Sequence, residues 1–477
     1  MNSLTHTKSI AELVAASEYP HTRLRRSLGL WSLVGLGIGS VIGSGIFTFT
    51  GTAAAGTADR PGAGPGIALS FVLVAIACGF AGLCYAELAS MIPVAGSAYT
   101  YAYATLGELF AWIIGWDLIL EYAVSNMAVA VGFSAYFNDL LDNVFGVHLP
   151  AALSNPVFAG GELTGAFFNL PAFLLIMLLT ASLVRGIRES AGANNVMVIV
   201  KVAAILAFIF GAWGAVDTAN WHPFMPNGFS GVLTGGAIVF FAYIGFDSVS
   251  TAAEECENPQ RNMPLGILIT LIACAVLYGA VALVLTGIAH WDTLNNAAPV
   301  ANALRTLGYN RLRFIVTIGA LIGMISSLMI FQYGQARVWF AMSRDRLLPS
   351  IFSRVHGKHQ TPDVSTWIAG LVVGIGAGIF DIGTLGDLTN IGTLFAFIIV
   401  SVGVIVLRRT NPDHKRHFRV PWVPVLPSIS IFSCGVLMLS LPWETWVRFV
   451  VWLVIGLIIY FTYSRHRTAA VSNEPRA

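Results

Sequence analysis

Runs of about twenty apolar residues, each long enough for one bilayer crossing, recur along the chain between short polar stretches. The pattern predicts helices near 30–56, 66–90, 98–130, 170–184, 191–215, 230–254, 264–289, 314–342, 364–381, 384–407, 421–440 and 444–464, which makes twelve crossings. One polar interval is long. It runs from Asp142 to Leu170, contains Pro150, Asn155, Pro156 and Gly160–Gly161, and reads as a spacer without an interpretable motif. A cleaved signal segment is the alternative for the first run, given Ala53 and Ala55. The polar tail over 1–27 and the glycine content of the run argue against it.

Composition sharpens this picture. Charged residues make up 10% of the 477 positions, against roughly 25% in ordinary soluble proteins, and 56% are hydrophobic. The bilayer is therefore the solvent. Five cysteines (Cys78, Cys84, Cys256, Cys274, Cys434) are odd in number and sit mostly in apolar runs, which excludes a secreted disulfide scaffold. A net charge of +2, spread over short basic clusters, excludes nucleic acid as a partner. The ten histidines fall in loops, tails or helix ends, so an intramembrane metal centre is not expected.

Orientation follows from Lys and Arg. With alternating crossings, Arg60, Arg305, Arg311, Arg313 and Arg448 lie on one side and nineteen lie on the other, together with both termini; Lys201 and Arg337 remain within helices. The richer side is cytoplasmic, which implies a plasma (inner) membrane protein with both termini in the cytoplasm. The basic run Arg408–Arg419 reads as a topology anchor at the anionic leaflet.

Two crossings are unusual. The first carries GLGIGSVIGSGIF (35–47), in which each glycine weakens a helix by about 1 kcal/mol relative to alanine. Close helix packing is one reading; the glycines flanking Ser44 favour an unwound segment near 39–45. A second half-helix starting there points the N–H groups of Ser44, Gly45 and Ile46 at mid-membrane, where they suit an anion, while carbonyls around Ser40 and Val41 suit a cation. The sixth crossing, GGAIVFFAYIGFDSVSTAAEE (235–255), has a midpoint Gly245 followed by Asp247, Ser248, Ser250 and Thr251. A broken helix opening each half of the chain is the arrangement of an inverted-repeat secondary transporter.

The segments GIGSVIGSGIF (37–47), PVAGSAYTYAYATLGE (93–108), FFAYIGFDSVSTAAEECENPQRNMPLGI (240–267) and YGQARVWFAMSRDRLLP (333–349) resemble the amino acid-polyamine-organocation superfamily, specifically a bacterial member of its cationic amino acid transporter family. The resemblance implies an all-α polytopic membrane protein with a LeuT-like five-plus-five inverted repeat and two additional helices. Its divisions are a tail (1–27), a first repeat (28–217), a second repeat (218–410), helices 11 and 12 (411–464) and a second tail (465–477). It also implies that Gly43, Ser44 and Gly45 bind a substrate carboxylate and that carbonyls of Val41, Phe241, Ala242 and Ile244 receive its amine. Phe241 would be an aromatic gate, or else an ordinary core aromatic.

Two buried ionisable groups complete the set. Lys201 lies about ten residues, or ~15 Å, into the fifth helix, too deep to snorkel comfortably. By resemblance it stands where sodium binds elsewhere and couples transport to protons; a permanently charged structural lysine is the other reading. Glu121, with Asp117 one turn before it, matches an acidic position near the family's pocket. Asp247 would hold the unwound geometry, and Glu254 and Glu255 open a loop with either a gating or a merely solvated role. By the same resemblance Phe331 would fall at the side-chain end of the pocket, where a phenylalanine would shorten the space a lysine or arginine needs.

The expected function is secondary active, sodium-independent, proton-coupled uptake of small neutral and/or cationic L-amino acids, with no cofactor and no enzymatic activity. An amino acid exchanger, or a sensor or channel on the same fold, is the alternative, although the tails are short for a signalling extension. Expected partners are the free amino acid and the lipid bilayer, with a small single-helix membrane protein as a further candidate.

Overall fold

The computed structural model describes residues 7, 8, 10, 28–57, 60–92, 94, 97–185, 191–355, 361–465 and 467, with backbone only at 143, 191–194, 251, 252, 254 and 255. The expectations for the tail over 1–27 thus lie almost wholly outside the described residues, as do the side chains of Thr251, Glu254 and Glu255.

The chain is an all-α polytopic bundle. Its first crossing is α1 (Leu30–Val41) and α2 (Gly45–Ala55), bent by 42° at the break between them. Then follow α3 (Ile67–Met91), α4 (Ser97–Thr105), α5 (Glu108–Phe145), α6 (Leu170–Val184), α7 (Ala191–Ala212), α8 (Gly228–Val239), α9 (Pro259–Ile288), α10 (Pro299–Thr306), α11 (Asn310–Arg344), α12 (Asp363–Ile379), α13 (Ile382–Thr410), α14 (Val425–Leu439) and α15 (Trp443–Ile459). Eight spans among the described residues are long and apolar enough to cross a membrane, and the bent pair makes a ninth. α6, α12 and α14 stand where three further crossings are predicted but have only 15, 17 and 15 residues. At 1.5 Å per residue they extend ~22–26 Å, short of a ~30 Å hydrocarbon core.

Local chemistry accounts for the boundaries. Asn169 caps α6 by accepting from the Ala172 N–H at 3.3 Å, with Pro171 in the first turn, and Asp381 caps α13 through the N–H groups of Gly383 and Thr384. The predicted third crossing needs correction. Residues 97–105 form the separate buried helix α4, and the crossing proper runs over 108–145, because Gly107 takes φ +100° and turns the chain between them. α10 is a helix that the apolar pattern did not predict; its Pro299 packs directly on Gly51 of α2. The 142–170 spacer carries a one-turn helix (Ala151–Ser154) and a small antiparallel ribbon pairing Phe158–Ala159 with Glu162–Leu163. All five cysteines are buried and unbridged, as packing residues would be.

At the end of the bundle with the Lys- and Arg-rich loops, the basic run is only partly a lipid-facing anchor. Glu87, buried at the end of α3, accepts from Arg408 Nε at 2.8 Å, Arg408 Nη2 at 2.7 Å and the Val420 N–H at 2.6 Å, with Arg416 Nε 3.3 Å away. Two of the basic residues are thus turned inward to pin the loop. Glu87→Ala strands buried guanidinium charge, so the midpoint for thermal unfolding in detergent is expected to fall, at a cost of about 3–5 kcal/mol.

Candidate functional site

The two interrupted helices meet in the middle of the bundle. In the first, Ile42 leaves helical geometry (φ −79°, ψ 91°), and the chain re-enters at Ser44 and continues as a widened helical turn over Gly45–Phe49. The N–H groups of Ser44, Gly45 and Ile46 head the second half-helix, where no carbonyl of that helix can reach them. In the second, α8 ends in a tight turn over Phe240–Tyr243, Ile244 is extended, Gly245 takes φ +112° and a narrow helix continues over Phe246–Glu255. Only glycine suits that φ, and a Cβ there would also come within 3.1 Å of the Ser40 side chain.

Hydroxyls tie the breaks together. Ser40 Oγ donates to the Gly245 carbonyl at 2.8 Å, and Ser248 Oγ donates to Ser40 Oγ at 2.8 Å. Closer still, a Cβ on Gly45 would lie 2.5 Å from Ala242 Cα, so the two unwound backbones touch through a glycine. Asp247 is buried, and its carboxylate lies within reach of the N–H groups of Gly245 and Ser248 and the hydroxyl of Ser97, where it bridges the broken geometry.

Lys201 sits halfway along α7, fully buried, and its Nζ donates to the carbonyls of Gly39 at 2.6 Å and Ile42 at 2.9 Å. These are the last carbonyls of α1, the negative end of its dipole, so a cation is favoured there just as an anion is favoured at the start of α2. Ser327 of α11 adds a hydroxyl 3.2, 3.2 and 3.1 Å from the carbonyls of Gly39, Ser40 and Ile42. Tyr278 of α9 donates to the Val41 carbonyl at 3.2 Å. The Val41 carbonyl is therefore engaged twice, since it also accepts from the Gly43 N–H at 3.0 Å, and in this conformation it has no lone pair left for a substrate amine; the Phe241 carbonyl accepts from the Ile244 N–H at 3.3 Å and keeps a second lone pair.

Aromatic and acidic walls flank the breaks. Phe241 stacks on Phe49 with ring centroids 4.6 Å apart, and Phe49 in turn packs against Gly386 of α13. Beyond them Arg60, in the loop after α2, pairs with Asp387 of α13. On the other side Glu121 is buried on α5 with Asp247, Asp117 and Thr393 beside it, and Asp117, fully buried, makes no hydrogen bond to any described residue through either oxygen. Phe331 lies one helical turn after Ser327, is 4% exposed, and faces the Tyr122 ring at 6.0 Å.

Ser327, Tyr278, Phe49, Tyr122 and the Arg60–Asp387 pair were missed in the sequence. The pair Ser326–Ser327 inside an apolar run was a usable signal, since intramembrane polar residues face the bundle interior. The others required the tertiary fold.

An apolar bundle in which two broken helices abut at mid-depth, with oppositely polarised helix ends, defines a membrane transport protein rather than an enzyme. The chain belongs to the amino acid permease family, whose model matches residues 28–463. It is 49% identical over 465 residues to the methylthioribose transporter of Bacillus subtilis (strain 168), covering 98% of both chains. It is also 49% identical over 466 residues to the branched-chain amino acid permease BcaP of the same strain, covering 97% of this chain and 98% of that protein. Cationic amino acid transporter 9, chloroplastic, of Arabidopsis thaliana is 34% identical over 93% of this chain and 88% of its own.

Proposed function

We propose that the chain is a secondary active amino acid transporter of the plasma (inner) membrane, working by alternating access without sodium and coupled to protons, with both termini cytoplasmic. The observation that carries this reading is the Lys201 ammonium bonded to the Gly39 and Ile42 carbonyls, in the place a coupling cation would occupy. Protonated, it holds α7 to the broken helix through two charge-assisted bonds; deprotonated, it loosens that hold and lets the halves rock. The twelve-crossing, five-plus-five plan belongs to the same proposal and is supported by the breaks that open each half.

In this reading the N–H groups of Ser44 and Gly45 take the substrate carboxylate, while the Gly43 N–H, which donates to the Val41 carbonyl at 3.0 Å in this conformation, must leave that carbonyl to join them. The carbonyls of Val41, Phe241, Ala242 and Ile244 take its amine. Phe241, stacked on Phe49, closes the outer side with the Arg60–Asp387 pair beyond it, and Glu121 and Phe331 meet the substrate side chain. The substrates are small neutral and/or cationic L-amino acids, and the aromatic wall of Phe331 and Tyr122 favours the neutral ones. A relative named for branched-chain amino acids points the same way.

Uptake of labelled L-alanine, L-leucine and L-arginine into sodium-free proteoliposomes tests the proposal. The neutral pair should enter and arginine should lag. Phe331→Ser opens space for a long side chain whose cationic head then lies nearer Glu121, so arginine should compete with alanine about tenfold better than in the wild type. Strong competition by arginine in the wild type, with transport of arginine itself, would remove Phe331 from the pocket wall.

A further inference from the structure

A groove of about 540 Å³ opens at the basic end of the bundle, between the start of α9 and the segment leading to α14. Its rim is polar: Gln260, Arg261 and His417 are exposed there. Its floor is apolar, made by the half-buried Leu265, Leu268 and Phe418, and no acidic residue is among its described lining residues. The wall carrying His417 is held rigidly. Its neighbour Arg416 is buried and donates to the carbonyls of Pro412 and His414 at 2.9 Å and Asn411 at 2.7 Å, while Val420 is fastened to Glu87.

Two further features set the depth and direction of the groove. Trp422, 77% exposed just before α14, marks the level of the membrane interface, where exposed indole rings settle. From the floor, the face of α9 that carries Leu265 and Leu268 continues through Ile272 and Val276, which are 65% and 68% exposed. These four residues follow helical spacing and form one apolar track running from the groove toward the bilayer interior.

We propose that this groove is a binding site for an anionic phospholipid, its phosphate accepting from Arg261, Gln260 and His417 and one acyl chain lying along Leu265, Leu268, Ile272 and Val276. A guanidinium in a preformed rim suits phosphate oxygens, and the apolar track gives a reason for a lipid rather than a free anion. Exposed Lys415 and Arg419 add to the attraction at longer range.

Native mass spectrometry of the full chain, offered phosphatidylglycerol and phosphatidylcholine with the same acyl chains, tests this without any transport measurement. The wild type should retain phosphatidylglycerol about tenfold more than phosphatidylcholine, and the double variant Arg261→Gln, His417→Gln should lose that preference. Leu268→Trp fills the floor without altering charge and should lose it as well. Glycerol 1-phosphate should fail to displace the lipid. An unchanged preference in either variant, or displacement by the headgroup alone, overturns the proposal.

Discussion

Lys201→Ala is expected to abolish proton-driven accumulation while leaving a folded protein. The fold survives because Ser327 Oγ still reaches the Gly39 and Ile42 carbonyls, at 3.2 and 3.1 Å, when the ammonium is gone. Coupling does not survive, since the group whose protonation links α7 to the break has been removed. For one proton per substrate, a gradient of one pH unit supports about tenfold accumulation. The variant should therefore only equilibrate substrate across proteoliposomes, while exchanging labelled for unlabelled alanine. Accumulation at the wild-type level would leave Lys201 a structural residue.

Gly45→Val should weaken substrate binding by up to about a hundredfold. The new Cβ would come within 2.5 Å of Ala242 Cα and 2.7 Å of its Cβ, and backbone cannot yield as a flexible side-chain end can. Overpacking of this kind costs about 1–3 kcal/mol, here by pushing apart the two unwound segments that form the site, which weakens binding by up to about a hundredfold. Thermal-shift titration of purified protein reads the effect. L-Alanine should stabilise the wild type, its amide should not, and neither should stabilise the variant. Equal stabilisation by acid and amide would contradict carboxylate recognition at the head of α2.

The positions of the breaks were legible because their causes are local. Glycines around Ser44 and at 245 interrupt runs that otherwise need none, and intramembrane Lys201 and Glu121 stand out against apolar neighbours. What joins these pieces was not legible. Nothing in the run VLYGAV singles out Tyr278 as the donor to Val41, and Phe49 meets Phe241 only because α2 and the turn after α8 cross. Helix ends in the apolar runs fared similarly. Hydropathy alone merged α4 with α5, because neither a proline nor a run of charges separates them and the turn depends on the positive φ of Gly107, and it passed over α10, whose apolar face is too short to register. The basic loop misled for another reason. Sequence counts charges but cannot tell that Arg408 and Arg416 face Glu87, 321 and 329 residues away, while Lys415 and Arg419 stay at the surface.

The central claim is that the ammonium at the break, rather than sodium, couples substrate movement to an ion gradient. Its most direct test is the uptake of labelled L-alanine into sodium-free proteoliposomes with an acidic exterior and a protonophore control. The expected result is accumulation above equilibrium that grows with the pH difference, collapses with the protonophore and is unchanged by adding sodium. Accumulation that requires a sodium gradient, or that ignores the pH difference altogether, would contradict it.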